Sequence, residues 1–260
     1  MKKNTLISLE ERRVVQLEML KEIDAFCKNN NIRYSLAFGT LLGAIRHKGF
    51  IPWDDDVDIM MPLPDMLRFK ELFHSETLKY CDVDNTYSYE YAFSRVANTL
   101  TYNKRGLIAR EYGICIDLYP MVSVPNDSEA YNVFFKKAAI LQKRRCFFMK
   151  WKARALRYLP VKSIPGMKHA IKDYRDFILN YKANNEAVKY YIVAGPLNLR
   201  DKMTYGYNLF DNTDEVDFEG YSFASVADYD YYLKLRYGDY MQLPPEDQRH
   251  PYHGGNYYWK

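Results

Sequence analysis

Four of the five residues from Asp54 to Asp58 are aspartates. A fold can hold so many carboxylates in a small space only if something offsets their repulsion. The run is not part of a polar tail. Trp53 precedes it, and Asp56-Val57-Asp58-Ile59-Met60 alternates polar and apolar residues, the pattern of a strand with one buried face. In that geometry residues 54, 56 and 58 point one way, and Val57 and Ile59 the other. Asp56 and Asp58 then form a two-pronged oxygen site of the kind that Mg²⁺ (or Mn²⁺) accepts, with water and substrate phosphate completing its shell. The usual fate of a bare Asp-x-Asp is a solvated acidic turn. Trp53, the apolar alternation and a helix start just upstream set this one apart.

That helix start is Gly39-Thr40, opening a predicted helix from Gly39 to His47. Free N–H groups at a helix N-terminus favour a phosphate, a threonine hydroxyl adds to them, and glycine allows close approach. Arg46, His47 and Lys48 stand at its far end, where cations also suit the helix dipole. Arg46 is the best phosphate ligand of the three, because its planar fork matches phosphate oxygens. A third carboxylate, Asp117, interrupts the apolar run Ile114-Cys115-Ile116-Asp117-Leu118-Tyr119. A lone acid there is costly unless it is paired or binds metal. It is a candidate third ligand, a base for an incoming hydroxyl, or one half of a salt bridge.

The remaining chain reads as α+β. Ser8 and Glu11 have capping-box spacing and begin a helix over 9–28, ended by Asn29-Asn30-Asn31. Ile32 to Phe38 reads as a short strand, and Asp65 as the cap of a helix reaching about His74. Several strands follow between Cys81 and Tyr119, the clearest from Ile114 to Tyr119. Residues 128–158 and 163–184 read as helices. The chain is then irregular until a short helix, Tyr229 to Tyr237, closed by Gly238.

Composition removes several function classes. The net charge of +4 is modest, so nucleic acid is not an expected partner. Cys27, Cys81, Cys115 and Cys146 are scattered, with no pattern for zinc or a disulfide framework. The apolar stretch Leu6 to Leu9 is too short for a signal peptide, and no run approaches the roughly 20 apolar residues of a membrane span. A cytoplasmic protein is expected. From Lys136 to Arg175, however, there are thirteen Lys or Arg and one acid, Asp173, with aromatic residues interleaved. Such a stretch suits either a solvated helix face or peripheral contact with an anionic leaflet at the inner membrane surface.

At these residues the sequence resembles the LicD family, named for lipopolysaccharide cholinephosphotransferases and related to the fukutin family. Gly39 to Ile59 is similar to the family's core motif, and Ile116-Asp117-Leu118-Tyr119-Pro120 to its second block. A third block runs through Tyr229 to Leu233, Tyr237 to Met241 and Leu243-Pro244-Pro245 to Arg249-His250. The resemblance implies a nucleotidyltransferase-like core of the DNA polymerase beta type, with a mixed sheet and flanking helices. It would occupy residues 1–125 together with the N-terminal helix. A mainly helical, basic and aromatic region, 126–260, would complete the site. Asp56, Asp58 and Asp117 would be the catalytic and metal-binding carboxylates. Gly39, Thr40, Arg46, His47, Lys48, Trp53, Asp54, Arg249 and His250 are the candidate substrate contacts. The implied reaction moves a phospho-alcohol such as phosphocholine from a CDP-alcohol, for example CDP-choline, to a hydroxyl of a cell-surface glycan, often lipid-linked, and releases CMP. Three other readings stay open: a nucleotidyltransferase releasing pyrophosphate, a glycosyltransferase using Asp-x-Asp, and a non-enzymatic binding module.

Overall fold

The Ser8 hydroxyl accepts from the Glu11 N–H at 3.1 Å, and the Glu11 carboxylate accepts from the Ser8 N–H at 2.8 Å. This reciprocal cap starts α1 (Leu9–Asn29) at the expected place. The chain is seen in a computed structural model that describes residues 4–87, 89–105, 108–109, 112–155, 164–182, 188–194, 197–250 and 256–260. α1 buries Met19, Leu20, Ile23 and Cys27, and it also turns Arg12 and Gln16 inward. Those two side chains meet the acidic loop. Arg12 pairs with Asp55 at 3.1 Å, both buried, and Gln16 reaches the Asp55 carbonyl at 3.5 Å. Arg13 next to them donates to the carbonyls of Ile51, Pro52 and Asp54 at 2.8–2.9 Å.

β1 (Ser35–Leu36) leads into α2 (Phe38–His47), and β2 (Asp58–Pro62) passes directly into α3 (Leu63–Leu72). β3 (Leu78–Cys81), β4 (Ser94–Asn98), β5 (Thr101–Arg105), β6 (Ile108–Ala109) and β7 (Cys115–Pro125) complete the first half. α4 (Ser128–Ala155), α5 (Met167–Leu179), β8 (Val188–Ile192), β9 (Thr204–Tyr205), β10 (Thr213–Phe218), β11 (Tyr221–Val226), α6 (Tyr229–Tyr237) and β12 (Asn256–Trp259) follow.

The main sheet runs β1-β2-β7-β4-β3, with β8 pairing β7 and β9 pairing β8. β7 is its spine. Along one side it pairs β2 in parallel, Asp58 opposite Asp117. Along the other it pairs β4 and then β8, both antiparallel. Ile116, Leu118 and Val124 on β7 are fully enclosed in the core that also takes Ile59 and Met60 of β2. α4 lies on this sheet and packs against α5.

The α+β class stands, with three corrections of detail. The strand in the acidic region begins at Asp58 rather than Asp56, so Asp54 to Val57 form a loop. Asp65 does not cap α3; Pro62 holds that position, and Asp65 is buried in the first turn against Arg33 at 2.8 Å. The later half is also less helical than the sequence suggests. It contributes β8 and β9 to the main sheet, the β10–β11 hairpin and β12, which pairs β5. That hairpin turns at Glu219-Gly220, both with positive φ, a weaker signal than the Asn-Gly or Asp-Gly that usually marks such a turn. Of the expected helices over 128–158 and 163–184, residues 156–158, 163 and 183–184 lie outside those described. Among the described residues no helix is long and apolar enough to cross a membrane.

The Arg12–Asp55 pair can be tested directly. Removing one partner of a buried ion pair strands the other charge, at a cost of about 3–5 kcal/mol. Arg12→Met should lower the urea midpoint accordingly, and adding Asp55→Asn should restore part of the loss. An unchanged midpoint in Arg12→Met would show that the pair does not hold the loop.

Candidate active site

A cavity of about 720 Å³ opens where the start of α2, the acidic loop and the segment following α6 meet. α2 supplies Phe38, Gly39, Leu42 and Arg46; the loop supplies Trp53, Asp54 and Asp56; β2 and β7 supply Asp58 and Tyr119. Arg236, Tyr237, Asp239 and Tyr240 close the opposite side.

The backbone around Asp58 is pinned on three sides. Its N–H donates to the Thr40 hydroxyl at 2.9 Å, in a buried position. Its carbonyl accepts from the Ala37 N–H at 2.9 Å, and the Asp117 N–H donates to the Val57 carbonyl at 2.9 Å. Thr40 lies in the first turn of α2, whose N-cap is Ala37, and its hydroxyl oxygen serves the acidic strand. Phe38 has φ of 45°, a left-handed conformation that strains a bulky residue and concentrates at functional sites. Its N–H donates to the Tyr232 hydroxyl at 3.0 Å, and its ring meets Tyr119 edge-on at 5.1 Å. Gly39 allows a close approach, but by a carboxylate of the protein itself. A Cβ there would stand 2.3 Å from the Asp54 Oδ2.

The electrostatics are those of a site short of positive charge. Burial pushes the Asp58 carboxyl well above the usual range, and the charges of Asp56, Asp117 and Asp54 push it further. Burial and then Asp56 push Asp54 up to about 7. The Asp58 Oδ1 is buried and has no hydrogen-bond partner among the described residues. Carboxylate oxygens of Asp54, Asp55 and Asp56 lie within 4.8 Å of one another, though Asp55 is committed to Arg12. A cation would relieve the orphaned oxygen and the crowded charges together. The residues therefore fit a hard divalent ion, which Asp56 and Asp58 at the cavity wall could hold.

Asp117 sits in register beside Asp58 but does not line the cavity. Arg95 takes both its oxygens, Nε at 2.6 Å and an Nη at 2.8 Å, and the Tyr119 hydroxyl donates to it at 3.3 Å. The Arg95 guanidinium is stacked 3.8 Å from the Tyr91 ring centre. The salt bridge that the sequence raised as one reading of Asp117 is present.

The other predicted contacts divide. Arg46 lines the cavity, but it donates to the carbonyls of Tyr240 and Gln242 at 2.6 and 3.2 Å and so tethers the closing segment. Trp53 lines the cavity, with His47 edge-on at 6.1 Å and the Arg249 guanidinium 5.6 Å from its ring centre. Burial, and then Arg46, hold His47 below its ordinary pKa. Lys48 is exposed, forms the left-handed C-cap of α2 and does not line the cavity. His250 is exposed and also outside the lining.

Nothing local in the sequence marks Arg236, which lines the cavity, or Arg12 and Arg95, which each hold a carboxylate. Arg236 lies between the two halves of the third sequence block. No pattern connected Arg12 or Arg95 to acids 43 and 22 residues away.

A raised carboxyl pKa has a sign that can be checked. Asp54 keeps its proton to about pH 7 when folded, but gives it up near 3.8 when unfolded. The metal-free protein should therefore lose stability as pH rises from about 4 towards 7. Asp54→Asn should raise the melting temperature more at the upper end of that window than at the lower. Equal shifts at both ends would contradict the crowding.

Residues 31–172 match the family model described as LicD/FKTN/FKRP, nucleotidyltransferase domain. That span holds α2, the acidic loop, β2 and β7. The chain is 29% identical over 264 residues to lipopolysaccharide cholinephosphotransferase LicD of Haemophilus influenzae, covering 95% of this chain and 96% of that protein. Stretches of 65 and 78 residues are 38% identical to uncharacterised proteins of Rickettsia typhi and Rickettsia prowazekii, covering 21% and 27% of those proteins. With more than half of its length under the family model and its acidic loop inside the matched span, the chain belongs to the LicD family.

Proposed function

We propose that this chain transfers a phospho-alcohol, phosphocholine-like, from a CDP-activated donor to a hydroxyl of a cell-surface glycan and releases CMP. Membership in the LicD family makes it a phosphotransferase. The observation that carries the finer reading is the orphaned Asp58 oxygen, buried at a cavity wall shared with Asp54 and Asp56. Such a wall repels a diphosphate unless a cation stands between them. We assign Mg²⁺ (or Mn²⁺) to Asp56 and Asp58, on a core read as nucleotidyltransferase-like. When bound, the ion would offset the acids and stabilise charge on the departing CMP.

The protein's own groups divide the remaining work. Arg236 faces the cavity, stacked 5.6 Å from Phe38 and 5.5 Å from Tyr237. Among the described residues its buried Nε has no hydrogen-bond partner and it forms no ion pair. We assign it to the donor's phosphate oxygens, a role suited to its fork. Arg46 holds the Tyr240–Gln242 segment over the cavity. The acceptor oxygen attacks the phosphorus bearing the alcohol, and the bond from that phosphorus to CMP breaks. The hydroxyl proton passes to a carboxylate of the cluster. Asp54 lines the cavity, whereas Asp117 stands beside Asp58, outside the lining, and is held by Arg95. A CDP-activated donor would place the reaction on the cytoplasmic side of the membrane.

Phosphorus NMR of the protein with CDP-choline, Mg²⁺ and a glycan acceptor should show CMP and a new phosphodiester. Turnover should vanish in EDTA. Asp58→Asn should lose about a thousandfold or more, the several kcal/mol that metal stabilisation supplies. Arg236→Ala should lose roughly a hundred- to a thousandfold, with partial recovery in Arg236→Lys. Release of pyrophosphate from CTP, or full turnover in EDTA, would overturn this assignment.

A further inference from the structure

α4 has two very different faces. Its inner face buries Tyr131, Phe134, Phe135 and Ala138. Two inward cations are also used internally: Lys152 pairs with Glu90 at 2.6 Å, and Arg145 donates to the Glu90 carbonyl at 3.2 Å. The outer face carries Val133, Ile140, Phe147 and Trp151, which are 60%, 68%, 56% and 58% exposed. Their spacing of 7, 7 and 4 residues keeps all four within about 20° of Ile140 on a 3.6-residue helix. The result is a straight apolar stripe on the solvent side, about 27 Å long at 1.5 Å per residue.

Cations flank this stripe on both sides. Lys137 and Arg144, the latter paired with Asp173 at 2.7 Å, lie along one edge, and Lys136, Lys143, Lys150 and Arg154 along the other. Glu129, in the first turn, is the lone acid of α4. Among the described residues, Lys136, Lys143, Lys150 and Arg154 form no ion pair. The arrangement departs from an ordinary solvated helix, whose outward face mixes charges of both signs and keeps large apolar groups inside.

We propose that the outer face of α4 docks this protein on an anionic lipid bilayer, with the stripe entering the headgroup–acyl boundary and the flanking cations meeting lipid phosphates. Three features favour that occupant. Phe147 and Trp151 are side chains suited to the membrane interface, and they sit where an interfacial helix places them, between rows of cations. A nucleic acid would be met by the cations, but Val133 and Ile140 at the centre offer its backbone nothing. A second copy would bring two basic faces together, and like charges across an interface oppose association. The inference concerns a surface rather than the reaction, so it stands or falls separately from the donor assignment.

Flotation of the full chain with phosphatidylcholine vesicles, with and without phosphatidylglycerol, is the test. The protein should float with the anionic vesicles at low ionic strength and stay behind with neutral ones. Lys136→Gln, Lys143→Gln and Lys150→Gln combined should weaken partition by roughly a hundredfold, about five-fold per cation. The double variant Phe147→Glu, Trp151→Glu should abolish it with circular dichroism and melting temperature unchanged. Retained flotation in both variants, or none in the wild type, would overturn the proposal. Concentration-dependent dimers broken by Phe147→Glu, or RNA binding lost in the lysine variant without flotation, would assign the face to another partner and equally overturn it.

Discussion

Everything at the candidate site depends on how the protein holds a cluster of like charges together. The solution is asymmetric. Asp55 turns away from the cavity and is neutralised by Arg12, while Arg13 binds three carbonyls of the loop and fixes its path. α1 is therefore a clamp on the acidic loop as well as a helix covering the core. With Asp55 and the loop backbone held, Asp54, Asp56 and Asp58 line the cavity together. Burial and mutual repulsion raise the carboxyls of Asp54 and Asp58. Sites that bind and use charge commonly keep such perturbed groups.

β7 passes this arrangement through the sheet. Its parallel pairing with β2 sets Asp117 beside Asp58, and its antiparallel pairing with β4 sets Arg95 opposite Asp117. One register thus places a neutralised carboxylate beside the acids of the cavity wall. Tyr119 belongs to both sides: its ring packs on Phe38 and its hydroxyl donates to Asp117. The strained Phe38, held by the Tyr232 hydroxyl, ties α6 to the start of α2. In this way the segment after residue 228 and the acidic loop come to share one cavity.

The sequence revealed what depends on neighbours along the chain. The Ser8–Glu11 cap, the helix ending at His47, the apolar run through Asp117 and the acidic cluster all carry local patterns that survive folding. It hid what depends on contacts between distant segments. Nothing in the spacing of Arg12, Arg95 or Arg236 announces the partner each meets. Gly39 and Thr40 show the same limit in another form. Their residue types suited a phosphate cradle, but the fold sets Asp54 against the glycine and gives the threonine oxygen to the Asp58 N–H. The β10–β11 hairpin was obscured by its acidic, exposed strand Thr213–Phe218, whose turn lacks the usual residues.

In our proposal the Asp54–Asp58 cluster is a cation site serving a diphosphate. Titration of Mn²⁺ followed by electron paramagnetic resonance tests it without any turnover. The wild-type chain should bind one ion tightly, and more tightly with a CDP-alcohol present. Asp58→Asn, folded by circular dichroism, should lose affinity by more than the roughly 10–100-fold that loss of an outer-shell partner costs. Equal Mn²⁺ binding by the wild type and Asp58→Asn, with no effect of the donor on either, would contradict the account.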